Sequence, residues 1–594
     1  MLRKILSFFF ALFMFLPTAH SAEMVNVEYI HQYLNARWGI DLPYNPELKN
    51  PKVAANMEYL LTVVDIANEY LNGEKTTNYG TGEYATKLAA DTIATNTAID
   101  TLVHGPSFYI TTTPDTTEFH IIIAAAGDFV IDWGDREYEF ISDKQLGKTV
   151  YSHTYASPGE YLVRLSGTAT DYYNNAGSSN IVADITFYDY TSSKTNSQHI
   201  AKISGSLGDV FPTLPDGTNP TFYRTFRDAE NLTEIPANLF GELNGDGAPY
   251  MFDSTFYECE QLQTVEGPLF SGTITPAESM FKQTFSTSGL TSVPANLFGE
   301  LNGDGAPNMF ERTFQYCYQL QTVGGPLFNG TITPAEYMFN ETFSASGLTS
   351  IPADLFAGIS GAPAKSMFSN TFYRTNITSV PANLFGELNG DGAPYMFEWT
   401  FYMCDQLQTI EGPLFSGTIT PAENMFDQTF YYSSMTSIPA DLFAGVQGAP
   451  AASMFSNTFS HSGLTNIPAN LFAGVRGAPA NSMFYSTFSD TRITSIPANL
   501  FSGIQGAPAS GMFADTFNNT PITSIPENLF AGISGPAARN MFGFTFNDCT
   551  SLTGPSAQTN GQYLYEIWPD AGYQGTYSDA TGLSDYAQIP SRWK

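Results

Sequence analysis

Positive charge is scarce in this chain. Its 594 residues hold 24 Lys and Arg against 57 Asp and Glu, a formal net charge of −33. Phosphate backbones and anionic membrane surfaces are bound by concentrated Lys and Arg, so both are excluded as partners. Cysteine is equally sparse. Four Cys in so long a chain rule out a dense disulfide scaffold. Long apolar runs are also missing: beyond residue 22 no stretch approaches the roughly 18 apolar residues of a membrane helix. What is plentiful is aromatic, with 47 Phe and 33 Tyr. That supplies ample core material and excludes global disorder.

Residues 1–22 carry an export address. Arg3 and Lys4 precede an apolar run from Ile5 to Leu16, and small residues follow at Ala19, Ser21 and Ala22. This is the three-part plan of a secretory signal peptide, and the run is too short to span a bilayer. The expected location is secreted or extracellular at a cell surface, with no transmembrane segment in the mature chain.

Residues 23–105 predict a small helical segment with two helices, near Lys52–Leu71 and Glu83–Leu102, joined by a Gly/Asn/Thr loop. His31 stands alone there and offers no chemistry. Residues 106–190 change to short β-prone runs separated by turn residues. Within them, Asp132-Trp133-Gly134-Asp135, His153-Thr154-Tyr155 and Pro158-Gly159-Glu160-Tyr161-Leu162-Val163 resemble a PKD domain. The resemblance implies an immunoglobulin-like β-sandwich acting as a spacer or weak binding module. Arg136 stands where that family usually has Gly. Asp135 and His153 suggest an acid–base pair, but the resemblance implies structural roles for them.

More than half of the chain repeats. Met-Phe occurs at 251, 280, 309, 338, 367, 396, 425, 454, 483, 512 and 541, always 29 residues apart, and Thr221-Phe222 is a degenerate first copy. Such a period calls for a solenoid, here of about twelve units over 221–555. In the unit Met367–Tyr395, the positions of Met367, Phe368 and Phe372 suit one buried face of a short helix. Thr333-Pro334-Ala335-Glu336 reads as its capping box. Ile377–Val380 follows as a short strand, ended by Pro381, and Leu384 and Phe385 return to the core. Three Phe-type positions per unit can stack as ladders along the axis.

Two stretches, Thr255-Phe256-Tyr257-Glu258-Cys259-Glu260-Gln261-Leu262 and Leu348-Thr349-Ser350-Ile351-Pro352, resemble bacterial leucine-rich surface repeats of the BspA-like and Met-Phe kind. The resemblance implies a leucine-rich-repeat-type α/β solenoid, on a secreted or surface protein that binds other macromolecules without catalysis. The expected fold is therefore multidomain: a small α segment, a β-sandwich, then the solenoid. Residues 191–220 and 556–594 are expected as its N- and C-terminal caps.

The chemistry expected of the array is sparse. Cys259, Cys317, Cys404 and Cys549 each lie eight residues after their unit's Met. At about 4.8 Å per turn the nearest pair is nearly 10 Å apart, so four free, buried thiols are expected, with neither disulfide nor metal site. Only His461 of the seven His lies in the repeats, and the Lys and Arg there are scattered. No cofactor and no enzyme activity are expected. The loop Gly-Glu-Leu-Asn-Gly-Asp-Gly recurs at 241–247, 299–305 and 386–392. Glu242, Asn244 and Asp246 could offer oxygens to Ca²⁺, though a solvated turn is the favoured reading because too few carboxylates converge.

One row remains as the candidate ligand-binding surface. Thr291, Thr349, Thr378, Thr436, Thr465, Thr494 and Thr523 each follow the unit's Leu, Ile or Met. On a strand they would point outward along one face, as binding rows of solenoids do; equally they could be plain solvent-facing Thr of good β-propensity. The expected function is adhesin-like binding of an extracellular protein or glycan. The alternatives are a structural envelope or matrix protein and, third, a polysaccharide-active enzyme.

Overall fold

The structure is a computed structural model describing residues 105–135, 137–173, 175, 180–189, 195–569, 571 and 575–594. The predicted signal peptide, the helical segment and Arg136 lie outside the described residues. No helix among the described residues is long and apolar enough to cross a membrane.

Residues 107–204 form two antiparallel sheets. The strands are β1 (Ser107–Thr111), β2 (Glu118–Ile123), β3 (Ala126–Asp132), β4 (Tyr138–Lys144), β5 (Thr149–Thr154), β6 (Glu160–Asp171), β7 (Ile185–Thr186) and β8 (Ile200–Ser204). One sheet has the order β4-β3-β6-β1-β8 and the other β5-β2-β7. Phe108, Phe119, Phe129, Trp133, Leu165 and Phe187 are buried in their core. Ile200 and Ile203, expected in the N-terminal cap, lie on β8, which pairs with β1 on one side and meets the first turn on the other, where Thr233 N–H donates to the Ala201 carbonyl at 3.3 Å. Residues 207–211 do cover the first turn: Leu207 N–H donates to the Leu239 carbonyl at 2.6 Å.

The repeats form a β-solenoid of stacked 29-residue turns. Short parallel strands pair from turn to turn, as in Gly245–Asp246, Thr273–Thr275, Glu300–Gly303 and Asn329–Ile332. The expected Ile377–Val380 strand is present as Ser379–Val380, paired with Thr409–Ile410.

The expected helix after each Met-Phe is absent, so the solenoid is β-type rather than α/β. The segment is a tandem run of turns, with Tyr250, Ser254 and Glu258 at φ of 59°, 56° and 57°. A left-handed residue every fourth position cannot be helix. Backbone donors then divide in two. Phe252, Ser254 and Phe256 N–H donate to the carbonyls of Met280, Lys282 and Thr284 in the next turn at 2.8–2.9 Å. Asp253, Thr255 and Tyr257 N–H close local turns on Tyr250, Phe252 and Ser254. Each left-handed non-Gly residue costs about 1–2 kcal/mol, and the gain is a direct bond to the neighbouring turn that a helix would keep for itself.

Two of the three ladders expected from the sequence run through every turn, while the third Phe position stacks on its own kind only at Phe356–Phe385 and from Phe443 to Phe530. Phe252 stacks on Phe281 at 5.4 Å and 4°, and Phe256 on Phe285 at 5.2 Å and 10°. Phe298 wedges between them, tilted 45° to Phe281. The second ladder does not stop at the first turn. Phe226 stacks on Phe187 (5.3 Å, 19°), and Phe187 on Phe119 of β2 (5.9 Å, 18°). Sheets and solenoid therefore share one hydrophobic core. At the far end Tyr577 takes the next rung on Phe546 (5.8 Å, 5°), and Trp568 and Trp593 close on Phe542.

Two kinds of turn occur within the constant period. Turns with Cys place the next Leu one residue later: Met251 to Leu262 against Met280 to Leu290. They recover it in the following loop, which is one residue shorter from Phe270 to Met280 than from Phe298 to Met309. The Gly-Glu-Leu-Asn-Gly-Asp-Gly loops occupy the longer version.

Candidate binding face of the solenoid

The seven Thr of the candidate row are all exposed, and the fold lines them up. Thr349 N–H donates to the Gln321 carbonyl, Thr378 to Thr349, Thr465 to Thr436 and Thr523 to Thr494, at 3.1–3.2 Å. Buried neighbours at Leu348, Ile377 and Val380 hold the segment flat against the core. The row is longer than the sequence pattern indicated. Gln263, Gln321 and Gln408 fill the same position in the Cys-containing turns, and Thr233 and Thr553 extend it at the two ends. Gln263 N–H donates to Thr233, Gln321 to Thr291, Gln408 to Thr378 and Thr553 to Thr523. The signal was legible: each Gln also follows its unit's Leu, displaced by the extra residue.

The row is neutral. Several hydroxyls, among them Thr291, Thr349 and Thr465, lie 3.0–3.3 Å from the carbonyl one turn back and can donate to it. That leaves their lone pairs facing solvent as acceptors, joined by Gln amides that both donate and accept. This is a hydrogen-bonding stripe with no acid, base or nucleophile in it.

A second Thr row, missed in the sequence, lies inside. Thr255, Thr284, Thr313, Thr342 and their equivalents are fully buried. Each hydroxyl reaches the carbonyl one turn back, and several also reach one in their own turn, as Thr313 does with Phe281 (3.0 Å) and Phe310 (2.8 Å). Next to it runs the Cys position. The four Cys are free and buried, and Cys317 Sγ lies 3.0 Å from the Phe285 carbonyl. Ser288 precedes it at the same position in the adjacent turn, 3.3 Å away. Burial pushes the Cys317 and Cys404 thiols up to about 11, so they are unreactive near neutral pH.

The acidic loops are tied turn to turn. Asn244 Nδ2 donates to Glu242 at 3.0 Å while its Oδ1 accepts from Thr273 N–H at 3.3 Å. Asn302 and Asn389 repeat this with Glu300 and Glu387. These oxygens are already occupied in shaping the strands. Among the described residues, no group of three or more His, Cys, Asp or Glu converges as for a metal ion.

In the sheets, His153 Nε2 and Asp135 Oδ2 are 2.7 Å apart. The imidazole is stacked on Trp133 at 5.3 Å and meets Tyr155 edge-on at 4.6 Å. Tyr155 in turn donates to the Trp133 carbonyl at 2.8 Å. The ring is clamped between aromatic walls, a structural arrangement that fixes the turn after β3.

No family model matches the chain, and no curated protein matches it. Period, ladders and stacked backbone bonds define the class by themselves: a repeat protein of the β-solenoid kind, with 29-residue turns.

Proposed function

We propose that this is an exported, non-catalytic binding protein, adhesin-like, that holds an extracellular protein or glycan along the repeats. The observation that carries the reading is the exposed Thr/Gln row from Thr233 to Thr553. It is neutral, regularly spaced and borne on a rigid shared core, and extended rows of this kind are how solenoids meet large ligands. The sequence resemblances fit the same reading: a PKD-like immunoglobulin-type sandwich ahead of about twelve leucine-rich surface units of the BspA-like type. A signal peptide at 1–22 would deliver such a chain outside the cell.

The test is a binding screen of residues 23–594 against glycan and extracellular-matrix protein arrays. It is repeated with Thr349→Asp and Thr378→Asp together. A saturable hit weakened tenfold or more by the paired substitution supports the reading. Hits that ignore the substitution move the contact elsewhere, and a blank screen with concentration-dependent assembly in sedimentation sinks it. That last outcome favours a structural envelope or matrix role, for which the continuous stacking of aromatic ladders speaks.

A further inference from the structure

A stretch of the solenoid is purely acidic. From residue 375 to residue 475 there is no Lys or Arg, while Glu387, Asp391, Glu398, Asp405, Glu411, Glu423, Asp427 and Asp441 all fall within it. The same stretch carries an exposed aromatic face. Tyr402 stacks on Tyr431 at 5.0 Å and 7°, Trp399 leans on Tyr402 at 5.5 Å, and Tyr432 packs against Tyr431 at 5.2 Å. Trp399 is 37% exposed and Tyr432 47%. Scattered apolar residues on a surface are ordinary, but adjoining aromatics on successive turns are a patch.

Two half-buried carboxylates, Glu398 and Asp427, lie on adjacent turns of the same stretch. Trp399 N–H donates to the Asp427 carbonyl at 3.0 Å, which fixes their neighbourhood. Burial and, secondly, the charge of Asp427 push the Glu398 carboxyl up to about 7. Burial raises Asp427 too, against side-chain hydrogen bonds from Ser456, Gln428 and Asn457. Neither is paired with a cation among the described residues.

Elsewhere the same solenoid shows what such a setting accepts. Arg227 Cζ lies 4.3 Å over the Tyr257 ring and 5.3 Å over Tyr188, with its Nε 3.7 Å from Asp228. Arg224 lies 4.6 Å over Tyr223. Arg374 sits 5.2 Å over Tyr373, the ring on which Tyr402 stacks. Guanidinium against tyrosine is therefore a recurring pairing of this fold, at Arg227 with a carboxylate beside it.

We propose that the face formed by Trp399, Tyr402, Tyr431 and Tyr432, together with the neighbouring Glu398 and Asp427, is a docking surface for a basic polypeptide segment of a partner. Its Arg or Lys side chains lie against the exposed rings and place their charge on the two carboxylates. Charge complementarity selects this occupant. A cation relieves the repulsion between two carboxylates on neighbouring turns, whereas a neutral sugar would desolvate both and leave them opposed. Stacking also hides both faces of Tyr402, held between Tyr373 and Tyr431, and one face of Tyr432, which lies on His461 at 4.9 Å, so ring edges and the exposed Trp399 are what the surface offers rather than flat faces for a sugar. The proposal deepens the binding-protein reading and rests on it, but at a different position of the coil from the Thr/Gln row.

Trp399 is the one exposed Trp among the described residues, Trp133, Trp568 and Trp593 being buried, so its fluorescence reports on this face. The probe is a ten-residue peptide alternating Arg and Gly, titrated into the full chain at physiological salt. Its neutral citrulline counterpart and a β-1,4-linked glucose hexamer are the comparisons. The expected result is a saturable emission change with the Arg peptide alone. Calorimetry should then show tenfold or greater weakening in Trp399→Ala and in the pair Glu398→Gln, Asp427→Asn. Two loop acids, Asp304→Asn with Asp391→Asn, serve as the charge-matched control and should leave affinity within about twofold. Equal weakening by both acid pairs would reduce the effect to the diffuse field of the chain and overturn the proposal. Binding of the hexamer or the citrulline peptide at this face, or no saturation by millimolar peptide, would overturn it as well. Thr349→Asp with Thr378→Asp should leave the peptide affinity unchanged, so this proposal and the Thr/Gln-row reading can fail separately.

Discussion

Thr284 Oγ1 lies 2.9 Å from the carbonyl oxygen of Phe252, one turn back, and 2.8 Å from that of Phe281 in its own turn. One buried hydroxyl thus ties two turns at the point where the tandem turns leave a carbonyl facing inward. Thr284→Val keeps the shape and removes the donor. It should cost about 1–2 kcal/mol by chemical denaturation. Thr291→Val, on the exposed row, should stay within about 0.5 kcal/mol. Equal losses at the two sites would refute the distinction between inner and outer rows.

The Phe ladders predict a steep contrast. Phe310 stacks on Phe281 at 5.2 Å and on Phe339 at 5.1 Å, whereas Phe544 is 38% exposed. Phe310→Ala should cost about 3–5 kcal/mol, with a cavity left mid-array. Phe544→Ala should cost less than about 1 kcal/mol. Thermal melts of the two variants side by side are the check.

The thiols should be silent in the native protein. Intact mass after iodoacetamide at pH 7.5 is expected to show no adduct, and four after denaturation. Cys317→Ser should be nearly neutral, because Ser288 and Ser346 already fill that position in the neighbouring turns. Rapid native alkylation would contradict the buried placement.

Asp184 joins the sheets to the first turn, accepting from Thr221 N–H at 2.8 Å and Tyr173 N–H at 3.1 Å. Burial outweighs these donors and pushes its carboxyl up to about 7. An acid whose folded value exceeds its unfolded value of about 3.9 keeps its proton longer when folded. Stability is then highest at or below about pH 4 as far as this group is concerned, and falls as pH rises toward about 7. Asp253 and Asp515, raised to about 6 by burial, act in the same direction. Asp184→Asn should flatten part of that fall in urea midpoints taken from pH 4 to pH 7. An unchanged slope would mean that Asp184 is ionised throughout.

Much of this fold was legible because a period is hard to hide. Met251, Met280 and Met309 fixed the 29-residue turn, and Phe252, Phe256 and Phe270 marked core positions that the structure buries. The local conformation was not legible. Met367, Phe368 and Phe372 suit a helix face, but a tandem-turn run places the same residues inward with Asn370 and Arg374 left-handed. Apolar spacing alone does not separate the two. Asn or Gly just before Met, at Asn308, Asn424, Gly511 and Asn540, was the available hint, since these residues tolerate positive φ, but Tyr or Ser fills that place in the other units. The inner Thr row went unseen because a buried hydroxyl has no sequence mark until its carbonyl partners are placed. The outer Thr row was found, but its Gln members were missed through the one-residue displacement.

That displacement has a consequence for how such a chain could change over generations. Each turn, with or without Cys, begins and ends in the same register, because a residue gained beside Leu262 is given up before Met280. The joints are therefore interchangeable. Unequal recombination that copies or drops whole units would yield longer or shorter proteins whose cut ends still mate. The number of turns, and with it the reach of the molecule, can drift in a population while its cross-section stays fixed.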